Sequence, residues 1–136
     1  MSYELKRHTA DVAVEATAES RGAVFAAVAD GMAAAMCDQV PGSGRRHEIT
    51  VPAEGLEAVL FDYLDELIYE RDVRSVLPVD NAAAVSEDDG QWQVEASYRG
   101  VPLDAVSARD LKAVTYSEMD LSKTDGGWHA YVVFDV

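Results

Sequence analysis

Two acidic groups share one end of the sequence, where Asp135 is penultimate and the α-carboxylate of Val136 follows it directly. Like charges that close repel unless a cation or a hydrogen-bond donor compensates them. A set of donors made only of oxygen suits a hard ion such as Ca2+ or Mg2+ better than zinc. Asp11 opens an alternating segment and supplies a third oxygen if its strand end meets the C-terminal one. By spacing alone, a frayed and solvated terminus is the plainer account of Asp135 and Val136, and an ordinary strand-initiating acid the plainer account of Asp11. Against fraying, Trp128 to Phe134 alternate as a well-formed strand that would hold the terminus in place.

Other reactive side chains are few. Lys6, Lys112 and Lys123 are the only lysines, and Lys112 falls in an apolar strand beside Ala113 and Val114. It reads equally well as a lysine guarding a sheet edge and as a functional cation. His8, His47 and His129 lie on separate segments and read more simply as surface or hydrogen-bonded histidines than as a ligand set. His8, three residues before Asp11, is the one placed to support a ligand from behind. The sole cysteine, Cys37, excludes an internal disulfide and a cysteine zinc cage, and reads as a small buried residue at a helix end. No phosphate-cradling glycine loop, serine elbow or HExxH helix is present. A metal-dependent hydrolase would need a water-activating base beside ligands already engaged, so it ranks last.

These residues need strands and helices to position them. Val12, Val14, Ala16 and Ala18 recur with a period of two, giving a half-buried strand that Asp11 begins. Ser20 caps a helix whose residues Val24, Phe25, Val28, Met32 and Met36 pack one face before Cys37. His47, Ile49 and Val51 mark a second strand ended by Pro52. The clearest amphipathic helix runs from Glu54 to Arg71 on Leu56, Val59, Leu60, Tyr63, Leu64, Leu67 and Ile68. Its acids Glu57, Asp62, Asp65, Glu66 and Glu70 read as a solvated face. Residues 73–86 form a strand region broken at Pro78, and Asp89-Gly90 turns the chain into the alternating Trp92, Val94, Ala96 and Tyr98. Lys112, Val114 and Tyr116 share one face of the next strand, and Asp125-Gly126-Gly127 returns the chain through Trp128, Ala130, Val132 and Phe134. Tyr116, Trp92 and Trp128 read as packing residues. The order predicts one α+β domain over residues 1–136, two helices packed on a mixed, largely antiparallel β-sheet.

The formal charge of −14 over 136 residues argues against direct nucleic-acid binding, which needs phosphate neutralisation. An acidic, lysine-poor surface is what a halophilic protein in a salt-loaded cytoplasm shows, and at about 1 M salt the Debye length of about 3 Å prevents that charge from steering distant partners. No apolar run has the length to span a membrane, and the polar start lacks a signal-peptide core, so the expected location is cytoplasmic.

The segment Glu4-Leu5-Lys6-Arg7-His8-Thr9-Ala10-Asp11-Val12 resembles the N-terminal signature of the archease family. The resemblance continues through Leu60-Phe61-Asp62-Tyr63-Leu64-Asp65-Glu66-Leu67-Ile68-Tyr69, Leu111-Lys112-Ala113-Val114-Thr115-Tyr116 and the ending Gly127 to Val136, in family order. It implies a non-enzymatic activator of the GTP-dependent tRNA-splicing RNA ligase, promoting guanylylation of the ligase's active-site histidine and multiple turnover. By the same resemblance, Asp11, Asp135 and the terminal Val136 match the family's metal ligands for a divalent cation, Ca2+ in the first place and Mg2+ or Mn2+ as alternatives. Lys112 matches its functional lysine, which would contact partner or phosphate. The resemblance thereby reverses the balance at the chain terminus. Two positions depart from the family pattern: Asp65 where Asn is common, and Ser117 where His often follows the tyrosine. A hydroxyl is a poorer cation or phosphate partner than imidazole, so Ser117 stays outside the site. The rival expectation is a chaperone-like binding module that modulates a tRNA-modifying enzyme such as a methyltransferase.

Overall fold

An alanine- and glycine-rich helix is a poor surface element but a good spacer, because small side chains let backbones approach on every side. The helix α1 (Arg21–Met36) is used that way, with Val24 to Ala29, Met32, Ala33 and Met36 all buried. A Cβ on Gly22 would meet the carbonyl oxygen of Ala83 at 2.3 Å, and one on Gly31 would meet Val14 at 2.5 Å and Tyr3 at 3.2 Å. These contacts belong to two different sheets, so α1 has a sheet on each side. Ser20 caps the helix as expected, accepting from the Ala23 amide at 3.1 Å, and Cys37 is buried at its end.

The computed structural model describes residues 2–8 and 11–136, with the side chains of residues 6–8 outside the description. One sheet has four strands: β1 (Ser2–His8), β2 (Asp11–Ala18), β6 (Ala113–Thr124) and β7 (Gly127–Asp135), ordered β1-β2-β7-β6. The other has three: β3 (Arg45–Ala53), β4 (Val76–Asp88) and β5 (Gln91–Pro102), ordered β3-β5-β4. Every pairing among the described residues is antiparallel. The second helix, α2 (Leu56–Arg74), buries the stripe Val59, Leu60, Tyr63, Leu64, Leu67 and Ile68. Both sheets and both helices feed one apolar cluster. The α+β expectation of two helices on largely antiparallel sheet therefore holds, with the strands divided between two sheets. Among the described residues, no helix is long and apolar enough to cross a membrane.

Several local readings are corrected. The polar start forms β1, whose backbone pairs with β2. Helix α2 runs past Arg71 to Arg74, and β3 continues one residue beyond Pro52. Pro78 does not break β4, since it pairs with Gly100; the ladder slips between Val79 and Ala82, where Asp80 takes φ 48°. Glu70 is not on a solvated face. It is buried, accepts from the Tyr98 hydroxyl at 2.6 Å and pairs with Arg74 at 2.9 Å. Burial and the bond to Glu70 push the Tyr98 phenol up. The two tryptophans are half-buried and flank the Arg21 guanidinium, 4.9 Å from the Trp92 centroid and 6.0 Å from that of Trp128. Arg21 thus ties a strand of each sheet to the start of α1, a contact of about 0.5–2 kcal/mol.

A pair of buried tyrosines separates packing from hydrogen bonding. Tyr98→Phe leaves a buried carboxylate short of one donor and is expected to cost about 1.5–3 kcal/mol in chemical denaturation. The Tyr63 hydroxyl has no hydrogen-bond partner among the described residues. Tyr63→Phe is expected to fall within about 1 kcal/mol of the parent.

Candidate functional site

Strand β7 lies between β2 and β6, and its residues Val132, Val133 and Phe134 are fully buried. Burial on both faces fixes this strand firmly, and the ladder continues through Asp135. A frayed end therefore does not describe Asp135. In the β2–β7 ladder Asp11 stands directly opposite Asp135, and in the β6–β7 ladder Asp135 stands opposite Ala113. On β1, the backbone of His8 pairs with Asp11. One row thus crosses the four strands as His8, Asp11, Asp135 and Ala113. The His8 side chain, and Thr9 and Ala10 of the N-terminal signature, lie outside the described residues.

Residues directly opposite in an antiparallel pair project to the same face, with Cβ atoms about 4.5–5.5 Å apart. Like charges so placed are destabilising by themselves, and a hard cation is the compensation that all-oxygen donors suit. Asp11 is half-buried, while Asp135 and Val136 are exposed. Among the described residues, no three or more His, Cys, Asp or Glu side chains are grouped to hold a metal ion. The opposed carboxylates of Asp11 and Asp135 supply oxygen donors, which fit a hard ion by donor type. Lys112 joins the row through its backbone, its amide donating to the Asp135 carbonyl at 2.8 Å, while its side chain is exposed.

The loop that delivers Lys112 is pinned from both helices. From α1, the Met36 carbonyl accepts the Arg109 amide at 2.6 Å, and Arg109 also donates to the Ala35 carbonyl and pairs with Asp38 at 3.1 Å. From α2, buried Arg71 donates to the Leu111 carbonyl at 2.7 Å and to the Met36 sulfur at 3.3 Å. Leu111 itself is buried. Sequence reasoning missed Arg71, although a signal existed: it falls four residues after Leu67 and three after Ile68, on the apolar stripe. Beyond Lys112, Val114 is buried but Tyr116 is 56% exposed, at the point where β6 begins to lose register between Thr115 and Asp120. Tyr116 stacks on Phe61 of α2 with centroids 4.0 Å apart and planes at 4°. Desolvation pushes its phenol up, with Asp62 and Glu57 adding to the effect. Ser117 lies in the same irregular stretch, exposed, its amide donating to the Thr115 hydroxyl.

The chain matches the Archease protein family over residues 3–136. It is 34% identical to the protein archease of Methanosarcina barkeri, over 98% of this chain and 95% of that one. With the protein archease of Archaeoglobus fulgidus the identity is 32% over 100% of both chains. Among solved structures, protein 1598 of Methanobacterium thermoautotrophicum superposes with a TM-score of 0.81 at 28% identity, covering 99% of each chain. A Thermotoga maritima protein described as an archease, possible chaperone, superposes with a TM-score of 0.64 at 20% identity, covering 98% of this chain and 96% of that one. At that identity the second likeness concerns the fold alone.

The strands that carry the row also carry a charged clamp. His129 on β7 meets Glu15 of β2 through Nε2 at 2.9 Å and Asp120 of β6 through Nδ1 at 2.9 Å. The Glu15 bond raises the imidazole pKa most; burial opposes it, and Asp120 adds to it. A folded value above the unfolded one gives stability that is complete below about pH 6.5 and lost as pH rises through the folded value. His129→Gln is expected to flatten that part of the stability profile, removing up to about 1 kcal/mol at pH 6 and little at pH 9 in urea titrations.

Proposed function

This chain belongs to the Archease family, and from that premise we propose that it is a non-enzymatic, cytoplasmic activator of the GTP-dependent tRNA-splicing RNA ligase. It promotes guanylylation of the ligase's active-site histidine and repeated turnover. One observation carries the site: Asp11 and Asp135 face each other across adjacent strands while the Lys112 amide is bonded to the Asp135 carbonyl. Asp11, Asp135 and the carboxylate of Val136 would hold a divalent cation, Ca2+ by preference. When bound, that ion supplies positive charge beside nucleotide phosphates.

The remaining work falls to the chain's own residues. Lys112 presents an ammonium beside the acidic row, where it pairs with a phosphate or with an acidic residue of the ligase. The buried strand β7 and the Arg71-held loop keep this charge pattern fixed before the partner arrives, and charges that need no reorganisation contribute most to a barrier. The catalytic groups remain on the ligase. The net charge of −14 opposes direct contact with RNA.

A second reading takes up the description of the Thermotoga maritima relative as a possible chaperone: a binding module that modulates a tRNA-modifying enzyme such as a methyltransferase. It expects binding with no gain in guanylylation. The deciding measurement is the rate of GTP-dependent guanylylation of the same organism's ligase, with and without this protein. The parent is expected to accelerate it by about tenfold or more, corresponding to about 1.4 kcal/mol of barrier or more. Asp11→Ala and Asp135→Ala, checked for folding by thermal melts, are expected to lose the gain. A folded parent without effect would refute the activator.

A further inference from the structure

The peptide unit between Leu111 and Lys112 is held at both of its polar ends. Its carbonyl accepts from Arg71 Nη1 at 2.7 Å, and its N–H, the Lys112 amide, donates to the Asp135 carbonyl at 2.8 Å. A trans peptide is planar and carries its C=O and N–H in opposite directions. Arg71 on α2 and Asp135 on β7 therefore hold one rigid plate from opposite sides. On the other flank of Lys112, Ala113 is already paired with Asp135 in the β6–β7 ladder. Lys112 is thus bracketed by fixed backbone, and its exposed side chain needs only its own torsions to place the ammonium.

Arg71 supplies more than one donor. Its Nε pairs with Asp72 at 3.0 Å, its Nη1 also reaches the Met36 sulfur at 3.3 Å, and its Nη2 stands 3.7 Å from the Asp110 carboxylate. One guanidinium, 9% exposed, touches the end of α1, its own helix and two consecutive residues of the loop before Lys112. A planar fork with several fixed donors can address these groups together, whereas a single ammonium cannot. Stability alone does not call for such a group. Arg71 continues the apolar stripe of Leu64, Leu67 and Ile68. An aliphatic residue there would close the core without taking a charge out of water, a replacement that is often neutral or stabilising at buried ion pairs. A charged donor on a carbonyl also polarises the peptide and strengthens the bond made by its N–H. The hold of Arg71 on Leu111 thereby reinforces the hold of Asp135 on Lys112.

We propose that Arg71 is a positioning residue for Lys112, setting the lysine's backbone so that its ammonium is presented to the partner in one place. The proposal rests on the activator reading and deepens it. Being buried, Arg71 acts through Lys112 and not on the ligase or its nucleotide.

The test measures guanylylation of the same organism's ligase at saturating full-length protein, for Arg71→Met, Arg71→Lys, Lys112→Ala and the double variant of Arg71→Met with Lys112→Ala. Arg71→Met is expected to lower the rate by about tenfold or more. In the Lys112→Ala background it is expected to add nothing, as for residues that act as one unit. Arg71→Lys, which keeps the charge and loses the fork, is expected to fall between parent and Arg71→Met. Amide hydrogen exchange gives a readout that needs no ligase: in Arg71→Met the Lys112 amide is expected to exchange about tenfold faster or more, while the buried amides of β7 keep their protection. A folded Arg71→Met with a parent-like rate overturns the proposal while the activator reading stands. So does a parent-like Lys112→Ala, or a loss in the double variant that multiplies the two single losses. Protection lost throughout both sheets, together with a lowered melting temperature, assigns Arg71 a purely structural role and overturns it as well. If Arg71→Met does not fold, Arg71→Lys is judged by the same criteria. A parent that does not accelerate the ligase removes the activator reading and this proposal with it.

Discussion

The pairing of β2 with β7 is the contact on which the rest depends. It joins strands from opposite ends of the sequence, seats α1 against the four-stranded sheet and sets Asp11 opposite Asp135. A slip of one residue in that ladder would send every side chain of β7 to the other face. Val132 and Phe134 would exchange places with Val133, and Asp135 would lose its partner across the strands. Core packing and the acidic row are therefore specified by the same register.

Charge in this protein has two separate roles. Most of its acids are exposed to solvent. A few are placed structurally: Glu70 accepts from Tyr98 and Arg74, Asp30 accepts from the Asn81 amide and side chain, and Glu15 and Asp120 grip His129. Burial of Asp30 raises its pKa, with the two Asn81 bonds working against it. Such placed carboxylates tie helix to sheet or strand to strand.

The elements with a clear period were readable from the sequence, and so was the order of the site blocks. β2, α1, the core of α2, the Asp89-Gly90 hairpin and β7 each declare themselves through apolar spacing or turn chemistry, which act over a few residues. What escaped reading is non-local. Nothing within β1 states that a polar strand will be sheltered by β2. The slip in β6 beyond Thr115 depends on its pairing with β7, and the burial of Glu70 on α2 depends on Tyr98 arriving from β5. The site was legible as a list of carboxylates and a lysine. Its geometry was not, because the meeting of Asp11 with Asp135 is a property of strand order.

That strand order also fixes when the protein becomes whole. β7 follows all the other strands in chain order and fills the gap between β2 and β6. Until it pairs, both neighbours expose unpaired edges, and the loop closure needed to join them spans almost the entire chain, the kind of contact that forms slowly. A chain without β7 would hold an open sheet and no opposed pair of aspartates, so the fold and the acidic row are completed by the same strand.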